Sequence, residues 1–318
     1  MKKILILALA GWLTGCSTVP MVDAPSTNQD KRIQVLVLHF TSEDFAESMR
    51  LLATPVRFRV RVHYVVPEPG DDTYTRDRLF VHRLVEESNR ARHAGVSYWA
   101  GRQSLNDSSV GIEIVNQSAC FPVSPNIREP LPEQQDCTFL DYPQEQLELV
   151  IALCRDILAR NPDIDPVDVI GHGDVAPNRR VDPGPQFPWK RLYENGIGAW
   201  YDDDTLARYR QQFESAKPSL AFLQEALNAY GYDLDVTGVN DRRSRFAVRA
   251  FQIHFRPADY SGYFDVETAS ILFALLEKYR PERLNDLLSQ RAGMASSWGI
   301  ARYVNIGGCC RGKPVRCW

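Results

Sequence analysis

The sequence lacks an excess of positive charge, low-complexity segments and a long apolar run. Its 318 residues carry 37 lysines and arginines against 40 aspartates and glutamates, which argues against nucleic-acid binding. The 20 prolines and 19 glycines are too few and too scattered for a fibrous chain. The apolar run over 4–10 has about half the length that a membrane-spanning helix needs. What remains is a globular composition, 44% hydrophobic and 24% charged, with a length typical of two domains.

The first sixteen residues resemble a bacterial lipoprotein signal. Two lysines precede the apolar run, and Leu-Thr-Gly-Cys follows it and ends at Cys16, the position that is acylated in a lipobox. A plain secretory signal with a chance cysteine is the alternative. Ser17 rather than Asp follows the cysteine, which by the same resemblance indicates sorting to the outer membrane. We therefore expect a signal peptide over 1–15 and a lipidated tether over 16–30, with the chain anchored in a Gram-negative outer membrane and facing the periplasm.

Six further cysteines would then lie in a compartment that permits disulfides. Cys120 and Cys137 flank a proline-rich segment and could close a loop together. Cys154 lies among apolar residues at helical spacing, which favours a buried thiol. The three cysteines of the last ten residues have no even partition, so their pairing stays open.

Apolar periodicity predicts an α/β domain over 31–200, with the amphipathic helix Gln144–Arg160. Residues 201–217 are charged and polar and are predicted to be a linker, and a three-helix module is predicted over 218–280. The tail over 281–318 has no predicted structure. The predicted strands are Ile33–Phe40, Phe58–Val66, Leu79–Val85, Val110–Val115 and Val167–Gly171, and the module's helices are Leu220–Tyr230, Ser244–Phe255 and Val266–Lys278.

Chemistry-bearing side chains interrupt or end the apolar strands. His39 and His172 each end a buried strand, where groups in open α/β folds face the ligand crevice. Glu113 lies inside an apolar strand, and Asp182 follows His172 by ten residues. Two imidazoles and one carboxylate suit a zinc site with an open fourth position, beside a glutamate that can move a proton. A strand-end histidine is more often structural, however, and HExxH is absent, so these residues alone leave the question open.

A family resemblance sharpens this interpretation. It is carried by Val37–Thr41, Val62–Val66, Arg92–Trp99, Asn106, Ser109–Glu113, Gly171–Pro177 and Asp182–Pro185. As an ordered set these segments resemble the zinc N-acetylmuramoyl-L-alanine amidases of the amidase 2, or peptidoglycan recognition protein-like, family. The resemblance implies a mixed central sheet flanked by helices over about 31–200.

The family's functional positions map onto five residues. The resemblance implies that His39, His172 and Asp182 hold zinc and that Glu113 activates the attacking water. The family usually has a lysine two residues before the ligand aspartate, where its charge stabilises the oxyanion; Arg180 stands there in this chain. Arginine keeps the charge, but its planar fork is larger and does not donate its proton at ordinary pH.

Two further positions match the family's substrate groove. The resemblance implies substrate contact by His93 and Asn106, with a structural role as the alternative for His93. Residues 218–280 resemble a three-helix peptidoglycan-binding module, with a capping or positioning role for the catalytic domain as the alternative.

The predicted function is hydrolysis of the amide between the lactyl group of N-acetylmuramic acid and L-alanine, for cell-wall turnover. A non-catalytic peptidoglycan receptor and a zinc peptidase acting on the stem peptide are the alternatives. The expected cofactor is Zn²⁺, and the expected partners are peptidoglycan, muropeptides and the outer membrane, with no nucleic acid. We expect a monomer.

Overall fold

The computed structural model describes residues 22–54 and 60–297, with side chains to residue 290. Residues 22–30 belong to one unit and contain no helix or strand, and the chain from Lys31 onward is a second unit. Cys16 and the three C-terminal cysteines lie outside the described ranges. Among the described helices, none has both the length and the apolar character that crossing a bilayer requires.

A mixed five-stranded sheet forms the centre of the first part of the second unit. The described strands are β1 (Val35–Phe40), β2 (Tyr64–Val66), β3 (His82–Arg83), β4 (Tyr98–Trp99), β5 (Arg102–Gln103), β6 (Ser109–Ile114), β7 (Ala119–Pro122), β8 (Gln135–Thr138) and β9 (Val169–Gly171). The order of strands in the sheet is β3-β2-β6-β1-β9, with parallel pairing except between β2 and β3. Two hairpins, β4–β5 and β7–β8, lie outside it. The predicted mixed α/β fold is confirmed.

Four helices accompany this sheet: α1 (Phe45–Ala53), α2 (Gln144–Arg160), α3 (His172–Val175) and α4 (Trp189–Glu194). The apolar stripe of α2 is buried in the same core as β1 and β6, which explains why both strands are apolar almost throughout. Leu52 of α1 packs in a second, smaller cluster with Val62, Val65 and Val115. The sheet is thus the framework that places the polar side chains at its strand ends.

Three strand predictions were too long. Of Phe58–Val66, residues 60–63 are not strand and residues 55–59 lie outside the described ranges. Leu79–Val85 keeps a two-residue bridge, and Val167–Gly171 loses its start to a 3₁₀ turn over Pro166–Asp168. Apolar side chains in such short segments fill the core without backbone pairing, so their hydrophobicity alone overestimates strand length.

Five helices form the second part: α5 (Asp203–Ser215), α6 (Leu220–Tyr230), α7 (Arg242–Phe255), α8 (Val266–Tyr279) and α9 (Pro281–Ser297). Side chains of Ser219, Asp241 and Asp265 cap α6, α7 and α8, as expected for residues that satisfy the first free N–H groups. We call α5 to α9 the helical module. The three predicted helices are present, with bounds within two residues.

The predicted linker over 201–217 is wrong, because most of it is α5. Tyr209 and Phe213 are buried on this helix and contact Phe273 of α8. The start of the tail is also helical, since Leu284 and Leu287 of α9 are buried in the core. The two buried side chains of α5, Tyr209 and Phe213, anchor a helix whose other residues are mostly charged or polar. In the sequence, so few apolar positions do not show a helical period, and the segment therefore resembles a linker.

The two predicted domains share one apolar core. Trp99 contacts the rings of Tyr230 and Tyr232, with centroids 6.0 and 5.1 Å apart. Trp200 also packs against Phe255, with ring centroids 5.8 Å apart. The helical module is therefore fixed against the sheet part through its side chains as well as through the chain connection.

The cysteine predictions within the described ranges are confirmed. Cys120 and Cys137 form a disulfide across the β7–β8 hairpin. Cys154 is a buried free thiol, and burial raises its pKa to about 12, so it stays a neutral core residue.

Candidate metal centre and active site

The parallel register brings three of the predicted residues to one edge of the sheet. His39 on β1 is the register partner of Glu113 on β6. On the other side of β1, Leu38 pairs with Gly171, so His172 follows β9 directly beside His39. Asp182 reaches the same edge from a loop whose main chain is fixed by a hydrogen bond of 2.8 Å from Gly173 N–H to the Asp182 carbonyl. Parallel strands end at one edge, so residues distant in sequence meet there.

The three predicted ligands converge on one point. The Nδ1 atoms of His39 and His172 lie 2.9 Å apart, and each lies 3.1 Å from Oδ2 of Asp182. All three side chains are buried. Two imidazoles and one carboxylate form a donor set that zinc prefers, and three protein ligands leave a fourth position for water or substrate.

Hydrogen bonds outside the cluster assign the imidazole tautomers. Nε2 of His172 lies 3.2 Å from the carbonyl of Ala94 and 3.4 Å from Nη2 of Arg179, which itself donates to that carbonyl. We assign the shorter contact as Nε2–H donating to Ala94, which leaves Nδ1 unprotonated. The tautomer of His39 is set by a chain of hydrogen bonds through His93 and Ser109, which we call the relay. Ser109 donates its hydroxyl to the Leu105 carbonyl at 2.5 Å, and its oxygen therefore accepts from His93 Nε2–H at 3.1 Å.

The relay continues to the ligand itself. With its proton on Nε2, His93 accepts at Nδ1 from His39 Nε2–H at 3.0 Å. The unprotonated Nδ1 atoms of His39 and His172 consequently face each other and the carboxylate of Asp182. Facing lone pairs at this distance repel each other unless a cation lies among them. The residues present therefore fit a divalent metal.

Burial and charge favour the same protonation states. Burial, followed by the charge of His172, lowers the pKa of His39 to about 4. Burial alone would raise the pKa of Asp182, but the nearby His172 and His39 outweigh it and bring that pKa below its usual range. A neutral His39 and an ionised Asp182 are the forms that bind metal.

Glu113 is a buried carboxylate beside this cluster. Burial, and secondarily the charge of Asp182, raises the pKa of Glu113 well above its usual range, while Arg180 acts in the opposite direction. Its Oε2 atom is buried and has no hydrogen-bond partner among the described residues. An unsatisfied buried oxygen of this kind requires a ligand or water, and a carboxylate with a raised pKa suits proton transfer near neutral pH.

The two arginines that precede Asp182 have different surroundings. Arg179 donates through Nη2 to the carbonyls of Ala94 and Val96, at 2.5 and 2.7 Å, and so holds that loop. Arg180 is exposed, and its charge lowers the pKa of both Glu113 and His39. The resemblance assigned the oxyanion role to Arg180 by its position two residues before Asp182. In the structure both arginines line the pocket beside Asp182, and the role of Arg180 stays a prediction.

A small pocket of about 100 Å³ opens next to the metal ligands. It is lined by both arginines, Asp182, Phe40 and Cys120, and by Phe246 from the helical module. A cationic wall beside the candidate metal suits a substrate whose transition state carries negative charge.

Both predicted substrate contacts, His93 and Asn106, take part in the hydrogen-bond network that supports the metal ligands. For His93 the structure supports the structural alternative, because the side chain is 4% exposed and both ring nitrogens are used inside the protein. A Cβ on Gly111 would lie 2.5 Å from the His93 ring, so this glycine makes room for the relay. Asn106 is half-buried, and its Oδ1 accepts from Ala94 N–H at 2.8 Å, which fixes the segment that orients His172. Its contact with substrate stays a prediction.

His93 variants test the relay. We expect His93→Leu to weaken metal binding about 10- to 100-fold, because His39 loses the acceptor that fixes its tautomer. His93→Asn should retain more affinity, since the asparagine oxygen can occupy the Nδ1 position. The measurement is Zn²⁺ affinity by competition with a chromogenic chelator. Equal affinities for both variants would contradict the relay, whatever their stability.

The sequence matches two family models. Residues 29–185 match the N-acetylmuramoyl-L-alanine amidase family, and residues 217–272 match a peptidoglycan binding domain. The sequence is 40% identical over 249 residues to N-acetylmuramoyl-L-alanine amidase AmiD of Escherichia coli K12, an alignment that covers 78% of this chain and 84% of that protein.

Solved structures are similar as well. The crystal structure of AmpDh3 from Pseudomonas aeruginosa in complex with anhydromuramic pentapeptide has a TM-score of 0.74 at 45% identity, covering 82% of this chain and 99% of that one. The complex of E. coli AmiD with anhydro-N-acetylmuramic acid-L-Ala-D-γ-Glu-L-Lys has a TM-score of 0.67 at 37% identity, covering 80% and 93%.

Proposed function

The chain belongs to the N-acetylmuramoyl-L-alanine amidase family, and we propose that zinc, held by His39, His172 and Asp182, is its metal. The bond cut is the amide between the lactyl group of N-acetylmuramic acid and L-alanine of peptidoglycan. One observation carries the proposal: three buried metal-binding atoms converge beside a buried glutamate oxygen that has no protein partner among the described residues.

The chain's own residues supply proton transfer and charge. When bound, zinc supplies a Lewis acid that polarises the scissile carbonyl and lowers the pKa of a water. Glu113 accepts a proton from the attacking water, and its raised pKa then suits delivery of that proton to the leaving amine. The buried surroundings of Glu113 keep bulk water from competing for the proton.

Arg180 is proposed to stabilise the negative charge that develops on the carbonyl oxygen. Its exposed guanidinium lies by the pocket beside Asp182. We expect Arg180→Ala to lower kcat about 100-fold with a smaller change in KM, because the charge matters most in the transition state. Arg180→Lys should restore much of the rate. A higher KM with an unchanged kcat would show that Arg180 only binds substrate.

Peptidoglycan digestion tests the reaction. Purified sacculi and muropeptides are incubated with the full chain and Zn²⁺, and the products are identified by mass spectrometry. Free stem peptides that begin with L-alanine are expected. Cleavage within the stem peptide would favour the zinc peptidase, and intact material would favour the non-catalytic receptor. Anhydro-muropeptides belong in the same assay, because both solved complexes contain an anhydromuramic ligand, and we propose that they are also substrates.

We further propose that the protein is a monomer anchored through a lipid on Cys16 to the outer membrane, facing the periplasm. The support is the sequence Leu-Thr-Gly-Cys after a short apolar run, since Cys16 lies outside the described residues. Cys16→Ala is expected to abolish labelling by palmitate and to move the protein from the membrane fraction to the soluble fraction. Retained label would refute the assignment.

A further inference from the structure

The helical module contacts the turn that carries a metal ligand. Asp174 lies two residues after His172 in α3 and is only 4% exposed. Its Oδ2 accepts a hydrogen bond of 2.8 Å from Gly171 N–H, which closes the turn that presents His172. The proposed reaction gives this carboxylate no task, yet a buried carboxylate is costly unless it is well bonded.

Its remaining partners come from the helical module. Tyr232, in the loop after α6, donates its hydroxyl to Oδ1 of Asp174 at 2.5 Å. His254 of α7 donates through Nδ1–H to Oδ2 at 2.8 Å. The His254 ring is stacked between Trp189 and Phe255, with centroids 3.8 and 3.9 Å away, so it is held rigidly.

The same turn is joined to a second ligand. Gly173 N–H donates to the carbonyl of Asp182 at 2.8 Å, and a Cβ on Gly171 would lie only 2.7 Å from Pro183. A void of only about 10 Å³ remains at this junction, and its lining includes Gly171, Asp182 and His254 of α7. Because packing here is so close, a shift of Asp174 displaces both His172 and Asp182.

We propose that the helical module is a structural part of the metal centre, in which Tyr232 and His254 are positioning residues that hold Asp174 and, through it, His172. This inference rests on the proposed zinc site. It assigns the module a role in addition to contact with the cell wall. A module that served only as a wall-binding arm would need neither a buried carboxylate nor these two donors at its junction with the ligand turn.

Two tyrosines two residues apart provide the experiment. Tyr232→Phe removes the hydroxyl that bonds Asp174, whereas Tyr230→Phe removes an equally buried hydroxyl that has no hydrogen-bond partner among the described residues. Zn²⁺ affinity is measured on the full chain by competition with a chromogenic chelator. We expect Tyr232→Phe to weaken it about threefold to tenfold, less than the 10- to 100-fold typical of a direct partner of a ligand. Tyr230→Phe should stay within about twofold of the unsubstituted chain.

A spectroscopic readout and a second variant complete the test. Co²⁺ loaded in place of Zn²⁺ reports ligand geometry through its visible absorption, which should change in Tyr232→Phe and not in Tyr230→Phe. His254→Phe keeps the ring stack but loses the donor, and we expect the same direction of effect if Tyr232→Phe does not fold.

The possible failures are distinguishable. If the unsubstituted chain does not bind Zn²⁺, the metal assignment itself is wrong. If it binds Zn²⁺ and both tyrosine variants match it, or both weaken binding equally, the module does not position the ligands.

Discussion

Replacing Glu113 by glutamine is expected to lower kcat about 10²- to 10⁴-fold, the range that a positioned general acid–base group contributes. The substitution keeps the size of the side chain and its place on β6 beside His39. It removes the capacity to accept a proton from the attacking water. Because Oε2 of Glu113 has no hydrogen-bond partner among the described residues, the amide breaks no protein contact there. The loss should therefore appear in kcat, with Zn²⁺ content still one per chain.

The matched control is Glu68→Gln, the same chemical change at another carboxyl group whose pKa burial raises. The charge that acts on Glu68 comes from Asp71 rather than from a metal ligand. The kcat of Glu68→Gln should therefore stay within about threefold of that of the unsubstituted chain. Activity of Glu113→Gln close to that of the unsubstituted chain would remove Glu113 from the mechanism. Loss of Zn²⁺ together with activity would instead give it a structural role at the metal.

The sequence predicts the long elements well because their patterns are complete. Gln144–Arg160 and Leu220–Tyr230 have the bounds that their apolar spacing indicates, and β1 and β6 are apolar enough to be recognised as central strands. The ligand residues are recognisable too, since polar side chains at the ends of such strands require an explanation. Their convergence was not readable from periodicity, because the pairing of β1 with β6 and β9 depends on contacts distant in sequence.

The surroundings of the site were harder to predict. His93 is in a segment that resembles a groove wall, and only the packing of its ring against Gly111 shows that it faces inward. The link between Asp174 and Tyr232 joins residues 58 positions apart, across a segment that the sequence presents as a linker. Sparse polar contacts of this kind leave no periodic signal, so the structure is needed to find them.

Removal of one ligand gives the second large effect. We expect Asp182→Ala to lose stoichiometric Zn²⁺ and to weaken its binding by more than about 100-fold, beyond the range for partners of ligands. The carboxylate is the only anion among the three converging side chains, and without it two buried imidazoles remain to hold a dication. Treatment of the unsubstituted chain with a chelator should abolish activity, and added Zn²⁺ should restore it. The same Zn²⁺ concentration should not restore Asp182→Ala.

Thermal unfolding separates metal loss from misfolding in this variant. A metal that binds only the folded chain stabilises it by about 2.7 kcal/mol at a free concentration 100 times its Kd, so Zn²⁺ should raise the Tm of the unsubstituted chain. That rise in Tm should vanish in Asp182→Ala and persist in the control His82→Gln. His82 is half-buried and is not one of the three clustered ligands, and its Nε2 has no hydrogen-bond partner among the described residues, so the control removes no hydrogen bond there. A Zn²⁺-dependent rise of equal size in both variants would show that the metal binds elsewhere. With both Nδ1 atoms unprotonated, the two imidazoles and the carboxylate face one another with lone pairs at about 3 Å, and a cation among them would remove that repulsion.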